Sequence, residues 1–477
     1  MNTEGSAVRG QGDERRADLL GYLRSRRWFG EKSRAIRFAE IVDRIPVHWH
    51  ESDGEFVVAR VRVQPEEGEA THYQLFLRRD DPTFADALED PAFRRGLIAA
   101  FGGGSTCENR GVRWVIQSQS EVPFKAPTDA PVVLSRAEQS NTSLFVGTQA
   151  VLKMYRKVTP GIHPDLECTR FLTVERRFLH TPALLGSIHF VDGKGAWAAG
   201  MLQELVPGAK DAWSHAIECS GEWFANGGEQ IPFVGDAERL GVITRSMHET
   251  LASGDPGSHF ERRDASAEDV QRWTRATAEM AKKALSSAGR ERDVKAVQRR
   301  IEALAARIGD DRGARIRVHG DYHLGQVLRS VTNAFLVVDF EGEPARPLAE
   351  RRQPHSPLKD VAGMLRSFAY AAAVSSRALG DPAEERRLTW ELATREAFLK
   401  GYFADSSRPT AENRKPQAIL PRSRDSMMQL VSLFEMEKAL YELQYELDNR
   451  PDWRWIPEAA IDRLLQEEQP NAESDTR

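Results

Sequence analysis

The hydrophobic pattern changes its period once along the chain, and this change limits the possible folds more than any other feature. From Ile36 to about Arg79, apolar and polar residues alternate in three stretches, which predicts strands separated by polar turns. Further strand-like stretches follow between residues 112 and 155, and from about Leu166 the spacing is mainly helical. The sequence therefore predicts an α+β protein that is strand-rich first and helix-rich second.

The composition is that of an ordinary globular protein. The 477 residues carry a formal net charge of -5, and no sustained block of one sign interrupts the 29% of charged residues. We therefore expect no nucleic acid and no membrane as a partner. Residues 1–16 are polar and lack the apolar run of a signal peptide, so we expect a cytoplasmic protein.

Two aspartates are notable because apolar residues flank them at the ends of predicted strands. Asp321 lies in VHGDYHLGQVL and Asp339 lies in LVVDFEGEP. Taken alone, each could be a turn residue whose side chain bonds to nearby backbone. Together with Gln326 they fit another chemistry, because Mg²⁺ requires oxygen ligands such as those of Asp339 and Gln326. Phosphoryl transfer to a hydroxyl group also requires a carboxylate, here Asp321, that orients the acceptor and takes its proton.

The order of these residues resembles the catalytic segments of the eukaryotic-like kinase superfamily. HGD at residues 319–321 is followed five positions after the aspartate by Gln326, and DFE at residues 339–341 follows a predicted hairpin. Glutamine in place of asparagine, and glutamate in place of the last glycine of DFG, resemble the small-molecule kinases, which include aminoglycoside phosphotransferases. The resemblance assigns catalysis to Asp321 and metal binding to Gln326 and Asp339.

A kinase-like site also requires nucleotide-binding residues upstream. AVLKMY places Lys153 on a predicted strand, where it would hold phosphates, and Glu167 on the next helix would hold the lysine. A polar turn before this strand would cradle phosphates through hydroxyl and backbone N–H groups, and a hinge would face the adenine through backbone groups. The turn comprises Gln139, Ser140, Asn141, Thr142 and Ser143, and the hinge comprises Gln203, Glu204 and Val206.

Six blocks, in the same order across nearly the whole chain, resemble the bacterial maltokinases. They are RRWFGEKSR, EQSNTSLFVG, VLKMYRKVTPGIHPDLE, VHGDYHLGQVLR, VVDFEGEPARPLAERRQPHSPLKDVAGMLRSF and YELDNRPDWRWIP. The resemblance implies a bilobal kinase fold, with a strand-rich N-lobe and a helical C-lobe, preceded by an N-terminal cap domain. We expect the cap at residues 1–90, an intermediate region with the N-lobe at 91–206, and the C-lobe at 207–477.

The same resemblance implies phosphorylation of maltose at its anomeric hydroxyl, with ATP and Mg²⁺ as cofactors. The product, maltose 1-phosphate, would supply α-glucan (glycogen) synthesis from trehalose, and trehalose synthase would be a candidate partner. A kinase of another sugar, such as glucosamine, is an alternative, although EGEP after Asp339 and the C-terminal YELDNRPDW favour maltose. A nucleotide-binding pseudokinase is disfavoured, because Lys153, Asp321 and Asp339 are all present.

One face of the last long predicted helix is a candidate sugar site. Glu437, Tyr441 and Tyr445 recur at every fourth position of FEMEKALYELQYELDN and so share a face. Tyrosine rings stack on the apolar faces of sugars, and carboxylates bind hydroxyl groups. An amphipathic helix that packs on the body of the protein produces the same pattern, so both interpretations stay open.

Four further residues lie near the motifs, and three of them allow two interpretations each. His319 is expected to be a structural residue of the loop, and His323 either does the same or lies in the substrate site, where it could touch phosphate. Glu341 either contacts the metal or orients Asp339. Asp360 either occupies the first turn of a helix, where the helix dipole favours an acid, or braces the catalytic loop, as the resemblance suggests.

Overall fold

The chain divides at Gly208 into two units, Met1–Gly208 and Ala209–Arg477. The computed structural model describes residues 19–49, 56–79, 83–119, 123–127, 129–136, 141–343, 346–377, 379, 382–404 and 418–466. The first unit is rich in strands and the second is mainly helical. This order agrees with the predicted change of hydrophobic period.

The first unit contains eleven strands and three α-helices among its described residues, with single-turn 3-10 helices at Ala87–Glu89 and Ala100–Gly102. The strands are β1 (Ile36–Val47), β2 (Phe56–Pro65), β3 (Thr71–Arg78), β4 (Ser105–Asn109), β5 (Val112–Ser118), β6 (Val132–Leu134), β7 (Thr142–Val146), β8 (Ala150–Met154), β9 (Lys157–Val158), β10 (Leu184–Asp192) and β11 (Gly195–Glu204). The helices are α1 (residues 19–25), α2 (Pro91–Ala99) and α3 (Pro164–Arg170), and a π-helical turn at Phe171–Glu175 continues α3.

These strands form two antiparallel sheets in the described part of the unit. One has the order β1-β2-β3-β9 and the other has the order β4-β5-β10-β11-β8-β7-β6. The hydrogen-bonded pair of His72 and Val158 joins the predicted cap sheet to a strand of the predicted N-lobe. Strand β4 was not predicted from the sequence, because four of its five residues are polar and Cys107 alone is buried.

Apolar side chains from both sheets form a common core. Phe56 and Phe76 from the first sheet, Phe93 from α2, and Trp114 and Leu152 from the second sheet belong to one buried cluster. Their burial removes large apolar surfaces from water, which is the main stabilising contribution to folding. The segments on either side of the predicted boundary at residue 90 therefore pack together within this unit.

The second unit contains nine helices and five short strands among its described residues. The helices are α4 (Ala212–Asn226), α5 (Val234–Leu251), α6 (Ala267–Ser287), α7 (Val294–Ile308), α8 (Leu348–Arg351), α9 (Leu358–Ser376), α10 (Pro382–Phe403), α11 (Arg424–Asn449) and α12 (Trp455–Gln466). The strands are β12 (Lys210–Asp211), β13 (Arg263–Asp264), β14 (Ala314–Arg315), β15 (Val327–Arg329) and β16 (Phe335–Val337), and single-turn 3-10 helices, such as Leu324–Gln326, lie between the larger elements.

Helix α9 forms the centre of the helical unit and packs against α11. The side chains from Val361 to Ala373 are all buried, because DVAGMLRSFAYAAA carries apolar or small residues on almost every side of the helix. Both helices contribute side chains to the site that follows. Each helix in the described part of the chain is either too short or too polar to cross a membrane.

Candidate active site

The segment between β14 and β15 forms a loop that presents Asp321. Gly320 has a φ of 86°, a left-handed conformation that glycine adopts without steric cost. His319 is 1% exposed, and its Nε2 lies 3.0 Å from the carbonyl oxygen of Val338. Its ring also packs on Phe340, with 4.8 Å between the ring centres. His319 is therefore a structural residue of this loop, as expected.

Asp360 holds the backbone of the same loop from the first turn of α9. Its carboxylate accepts hydrogen bonds from the backbone N–H groups of His319 at 2.8 Å and Gly320 at 2.9 Å. A third bond, of 3.1 Å, joins it to Nε2 of His248. Burial acts to raise the pKa of Asp360, but the hydrogen bonds to the ionised form, first that of His248, bring the pKa below its usual value. Both interpretations of Asp360 therefore hold, because the same carboxylate lies in the first turn of α9 and braces the loop.

The hairpin of β15 and β16 brings Gln326 and Asp339 together. The Val338 N–H donates to the carbonyl oxygen of Gln326 at 3.0 Å, and the Gln326 side-chain amide donates to Asp339 Oδ2 at 3.2 Å. Asp339 has a φ of 68°, which is uncommon for a residue with a side chain, although aspartate adopts it more readily than most. A carboxylate oxygen of Glu341 lies within 4.8 Å of one of Asp339. These oxygen-bearing side chains form a donor set of the type that Mg²⁺ requires.

Asp321 makes an ion pair that the sequence alone did not indicate. Its Oδ1 lies 3.2 Å from the ammonium group of Lys438 on α11, and the same group lies 3.3 Å from Glu343 Oε1. Glu343 also accepts a hydrogen bond of 2.5 Å from Arg346. Burial acts to raise the pKa of Glu343, but the positive charges of Lys438, Lys359 and Arg346 lower it to about 2.

His323 follows Asp321 on the loop, and its burial favours the neutral imidazole. Burial lowers its pKa, although the nearby Asp321 carboxylate acts in the opposite direction. Its Nδ1 accepts a hydrogen bond of 3.1 Å from the backbone N–H of Gly325. In a neutral imidazole this leaves the proton on Nε2, so the ring can offer a donor to a substrate oxygen.

A cleft of about 740 Å³ adjoins Asp321 and His323 in the second unit. Five aromatic rings, from α4, α9, α11 and the turn after α11, line it together with Lys438 and three further charged residues of α11 and its C-terminal end. The rings are those of Trp213, Tyr370, Tyr441, Tyr445 and Trp453, and the three further charged residues are Glu442, Glu446 and Arg450. Its volume and apolar lining are typical of small-molecule sites.

The two glutamates of this cleft are already paired with arginines. Arg366 donates to Glu442 at 2.9 Å, and Arg450 donates to Glu446 at 2.7 and 2.9 Å. The Tyr370 hydroxyl also donates to Glu446, at 3.0 Å. The cleft therefore offers aromatic faces and hydrogen-bonding groups, while these negative charges are locally compensated.

The three predicted sugar residues on α11 have two different environments. Tyr441 and Tyr445 line the cleft, and Tyr445 is 45% exposed. Glu437 is 8% exposed and lines a smaller adjacent cavity, where it accepts from Lys359 at 2.7 Å and from Arg346 at 3.1 Å. Trp213 and Tyr370 were not predicted, because they lie on other helices, far from the motif in sequence.

Lys153 on β8 forms the ion pair that defines the candidate nucleotide site of the first unit. Its ammonium nitrogen lies 3.1 Å from Oδ2 of Asp165, which is 1% exposed. Asp165 is the second residue of α3 and was not predicted. The predicted partner, Glu167, lies one half-turn further on the same helix and is half-buried; its contact with Lys153 stays a prediction.

The predicted phosphate turn leads directly into β7. Ser143 is paired with Lys153 across the ladder of β7 and β8, so the turn and the lysine are neighbours. The Thr142 hydroxyl accepts a hydrogen bond of 2.8 Å from Arg156, and Asn141 directly precedes the strand. Gln139 and Ser140 lie outside the described residues.

The predicted hinge is the end of β11. The N–H groups of Glu204 and Leu205 donate to the carbonyl oxygens of Ala183 and Gln149, each at 2.9 Å. Gln203 is 9% exposed, and its side-chain nitrogen has no hydrogen-bond partner among the described residues. Val206 is half-buried and follows this segment. Two backbone donors of the predicted hinge region are therefore already used within the protein.

Comparison with known families identifies two segments of the chain. The profile of the phosphotransferase enzyme family matches residues 133–378, which is more than half of the chain. The profile of the maltokinase N-terminal cap domain matches residues 22–105. The first match covers Lys153, Asp321 and Asp339, and the second covers β1 to β3 and α2.

Two characterised relatives are similar to most of the chain. The glucosamine kinase of Streptacidiphilus jiangxiensis is 27% identical over 348 residues, which are 71% of this chain and 75% of that protein. The glucosamine kinase of Mycolicibacterium smegmatis is 26% identical over 335 residues, which are 69% of this chain and 78% of that protein.

Solved structures establish the fold. A glucosamine kinase in complex with glucosamine, ADP and inorganic phosphate has a TM-score of 0.67 at 21% identity, covering 92% of this chain and 96% of that chain. A second crystal form of glucosamine kinase also gives a TM-score of 0.67. The predicted kinase fold, with a strand-rich N-lobe, a helical C-lobe and an N-terminal cap, is confirmed.

Proposed function

The chain belongs to the phosphotransferase enzyme family, and from this premise we propose that it is an ATP-dependent sugar kinase that phosphorylates maltose at the anomeric hydroxyl. The observation that carries the proposal is the cleft beside Asp321, because its five aromatic rings suit the apolar faces of a disaccharide. The match to the maltokinase cap domain supports maltose as the sugar.

Asp321 is the proposed catalytic residue. Its carboxylate would orient the anomeric hydroxyl and accept its proton as the oxygen attacks the γ-phosphorus of ATP. The new oxygen–phosphorus bond forms as the bond to ADP breaks, giving maltose 1-phosphate. His323 would donate a hydrogen bond from Nε2 to a phosphate or sugar oxygen, and Tyr441 and Tyr445 would stack on the sugar.

Asp339 and Gln326 are the proposed metal ligands, with Glu341 beside them. Bound Mg²⁺ would supply positive charge that neutralises the phosphates. The left-handed backbone of Asp339 and its bond to Gln326 orient the carboxylate for this task. Glu437 is proposed to affect the substrate indirectly, by holding Arg346 and Lys359, because its carboxylate already accepts hydrogen bonds from both.

The nucleotide is proposed to bind in the first unit. Lys153 would hold ATP phosphates while Asp165 holds the lysine, and Glu167 is retained as a second candidate for this role. The polar turn from Gln139 to Ser143 would contribute hydroxyl and N–H groups. The hinge from Gln203 to Val206 would bind the adenine.

Glucosamine is the second candidate substrate, because the two relatives at 26 and 27% identity are glucosamine kinases. Its ammonium group would be best served by an unpaired carboxylate in the cleft. Glu442 and Glu446 are instead paired with arginines, and Asp321 is paired with Lys438. Asp211, which also lines the cleft, accepts hydrogen bonds from Ser214 rather than from a cation, so glucosamine stays the alternative that the assay below must separate from maltose.

We also propose a setting for the reaction. The enzyme would act in the cytoplasm, where its product would supply α-glucan synthesis from trehalose-derived maltose, and trehalose synthase would be its partner. Co-elution of the two purified proteins in size-exclusion chromatography would support the association, and independent elution at micromolar concentrations would contradict it.

An ADP-release assay with ATP and Mg²⁺ tests the activity across maltose, glucose, glucosamine, trehalose and an aminoglycoside. We expect kcat/KM to be highest for maltose, and a higher value for glucosamine would replace the substrate assignment. The variant Asp321→Asn should lose turnover but bind ATP like the wild type. An undiminished turnover number in that variant would end the assignment of Asp321.

A further inference from the structure

Lys438 joins the catalytic loop to the helix that lines the cleft. It lies on α11, three residues before Tyr441, and its ammonium group is 4.9 Å from the centre of that ring. The same group is 3.2 Å from Asp321 Oδ1 and 3.3 Å from Glu343 Oε1. One side chain therefore touches the proposed catalytic carboxylate and a ring of the proposed sugar site.

The position of this ammonium group is fixed by a chain of alternating charges. Glu343 is held by Arg346, and Arg346 also donates to Glu437, the residue before Lys438. Lys359 from α9 completes the chain with a contact of 2.7 Å to Glu437. The Lys438 side chain is 19% exposed and Glu343 is 5% exposed, so water screens these charges less than it screens surface pairs.

A purely structural ion pair would need no connection to the reacting group. Here the lysine contacts one oxygen of Asp321, while Glu343, which has no assigned part in the chemistry, contacts the same ammonium group. Glu442 on α11 also acts on the ammonium group through its charge. The acids around Lys438 therefore hold the cation at one place, and the cation in turn determines where the Asp321 carboxylate lies.

We propose that Lys438 is a positioning residue for the sugar phosphorylation: it holds Oδ1 of Asp321 so that Oδ2 meets the acceptor hydroxyl. This inference rests on the proposed function, because the positioning of Asp321 matters only if its carboxylate accepts the proton of the sugar hydroxyl. Effective catalysis needs the reacting atoms to be held in a narrow range of positions, and small displacements cost about 10²-fold in rate. Lys438 would supply this constraint from the sugar-binding helix.

The variant Lys438→Met removes the charge and keeps a side chain of similar length. We expect kcat for maltose to fall by about 10²-fold, while KM for maltose and the Kd of ATP change by less than about threefold. Lys282→Met, at an exposed position of α6, is the matched control and should behave like the wild type. A kcat of Lys438→Met within about twofold of the wild type, or a loss confined to KM, would overturn the positioning role.

A double-mutant cycle tests the same contact without any substrate. The melting temperatures of Lys438→Met, Asp321→Asn and the double variant are compared with that of the wild type, and we expect the double variant to lose less than the sum of the two single losses. Additive losses would overturn the inference even if the wild type phosphorylates maltose. A wild type that is silent with every sugar would overturn the proposed function and the positioning role together, whatever the cycle shows.

Discussion

The variant Asp360→Asn tests how the catalytic loop is held in place. In the wild type, both carboxylate oxygens of this buried residue accept backbone N–H groups, from His319 and Gly320, and Oδ2 also contacts His248 Nε2. Asparagine can offer only one oxygen, and its amide nitrogen is a donor. If the oxygen stays with Gly320, the new donor faces the His319 N–H.

The loss of stability in Asp360→Asn depends on which hydrogen-bond partners of this residue can exchange a donor for an acceptor. His248 can change its tautomer and accept from the new amide, since its Nδ1 lies 2.8 Å from the Tyr402 hydroxyl and can then donate to it. The His319 N–H has no such freedom and stays buried without its acceptor. Losing a hydrogen bond to a charged group and leaving its donor unsatisfied costs about 2–4 kcal/mol.

Urea unfolding at pH 7 measures this loss, and the ADP-release assay measures its effect on turnover. We expect the free energy of unfolding to fall by about 2–4 kcal/mol and kcat to fall by at least about tenfold. Asp425→Asn is the matched control, because Asp425 is 58% exposed and its carboxylate accepts from the exposed Arg307 and from the Gln429 side chain; its effect should stay below about 1 kcal/mol. If Asp360→Asn and Asp425→Asn have the same free energy of unfolding, the hydrogen bonds of Asp360 do not stabilise the loop as inferred.

Three further perturbations test other parts of the account. Asp165→Asn should raise the Kd of ATP by about tenfold and leave KM for maltose unchanged, because Lys153 loses a charge-assisted bond of 3.1 Å; isothermal titration with ATP checks this, and an unaltered Kd would contradict it. Gly363→Ala should lower stability by about 1–3 kcal/mol and reduce kcat, because its Cβ would lie 2.6 Å from the backbone oxygen of Tyr322. Gly221→Ala, which has no atom within 4 Å of its new Cβ, should instead be neutral or stabilising by up to about 1 kcal/mol. Glu343→Gln should lower the free energy of unfolding most at pH 7, and this difference from the wild type should shrink as the pH falls from about 4 towards 2. The reason is that the folded-state pKa of Glu343 is lowered to about 2, so the carboxylate is protonated over this range. A difference that stays constant would argue against the ion pairs of Glu343.

The fold could be predicted, and candidate site residues could be proposed, because both depend on local patterns. Alternation of apolar residues predicts strands such as β1 and β2, since one face of each strand must be buried. Gln326 and Asp339 lie at the two ends of one short hairpin, so sequence order alone brings these two residues together. Polar strand β4 carries too few apolar residues to be recognised in this way.

The contacts of the site residues could not be predicted, because they depend on how separate elements pack. Asp165 and Glu167 are two residues apart on α3, and only the packing of that helix decides which of them meets Lys153. The rings of Trp213 and Tyr370 reach the cleft from α4 and α9. The face shared by Glu437 and Tyr441 was recognised, but the partners of Glu437 on other segments set its role.

Phosphorus NMR of the reaction of the wild-type enzyme with ATP, Mg²⁺ and maltose identifies the acceptor and the position of the new phosphate. We expect one equivalent of a sugar phosphate for each ADP formed, with its phosphorus coupled to the anomeric proton of maltose. A phosphate on another carbon, or no maltose product under conditions in which glucosamine is phosphorylated, would contradict this expectation.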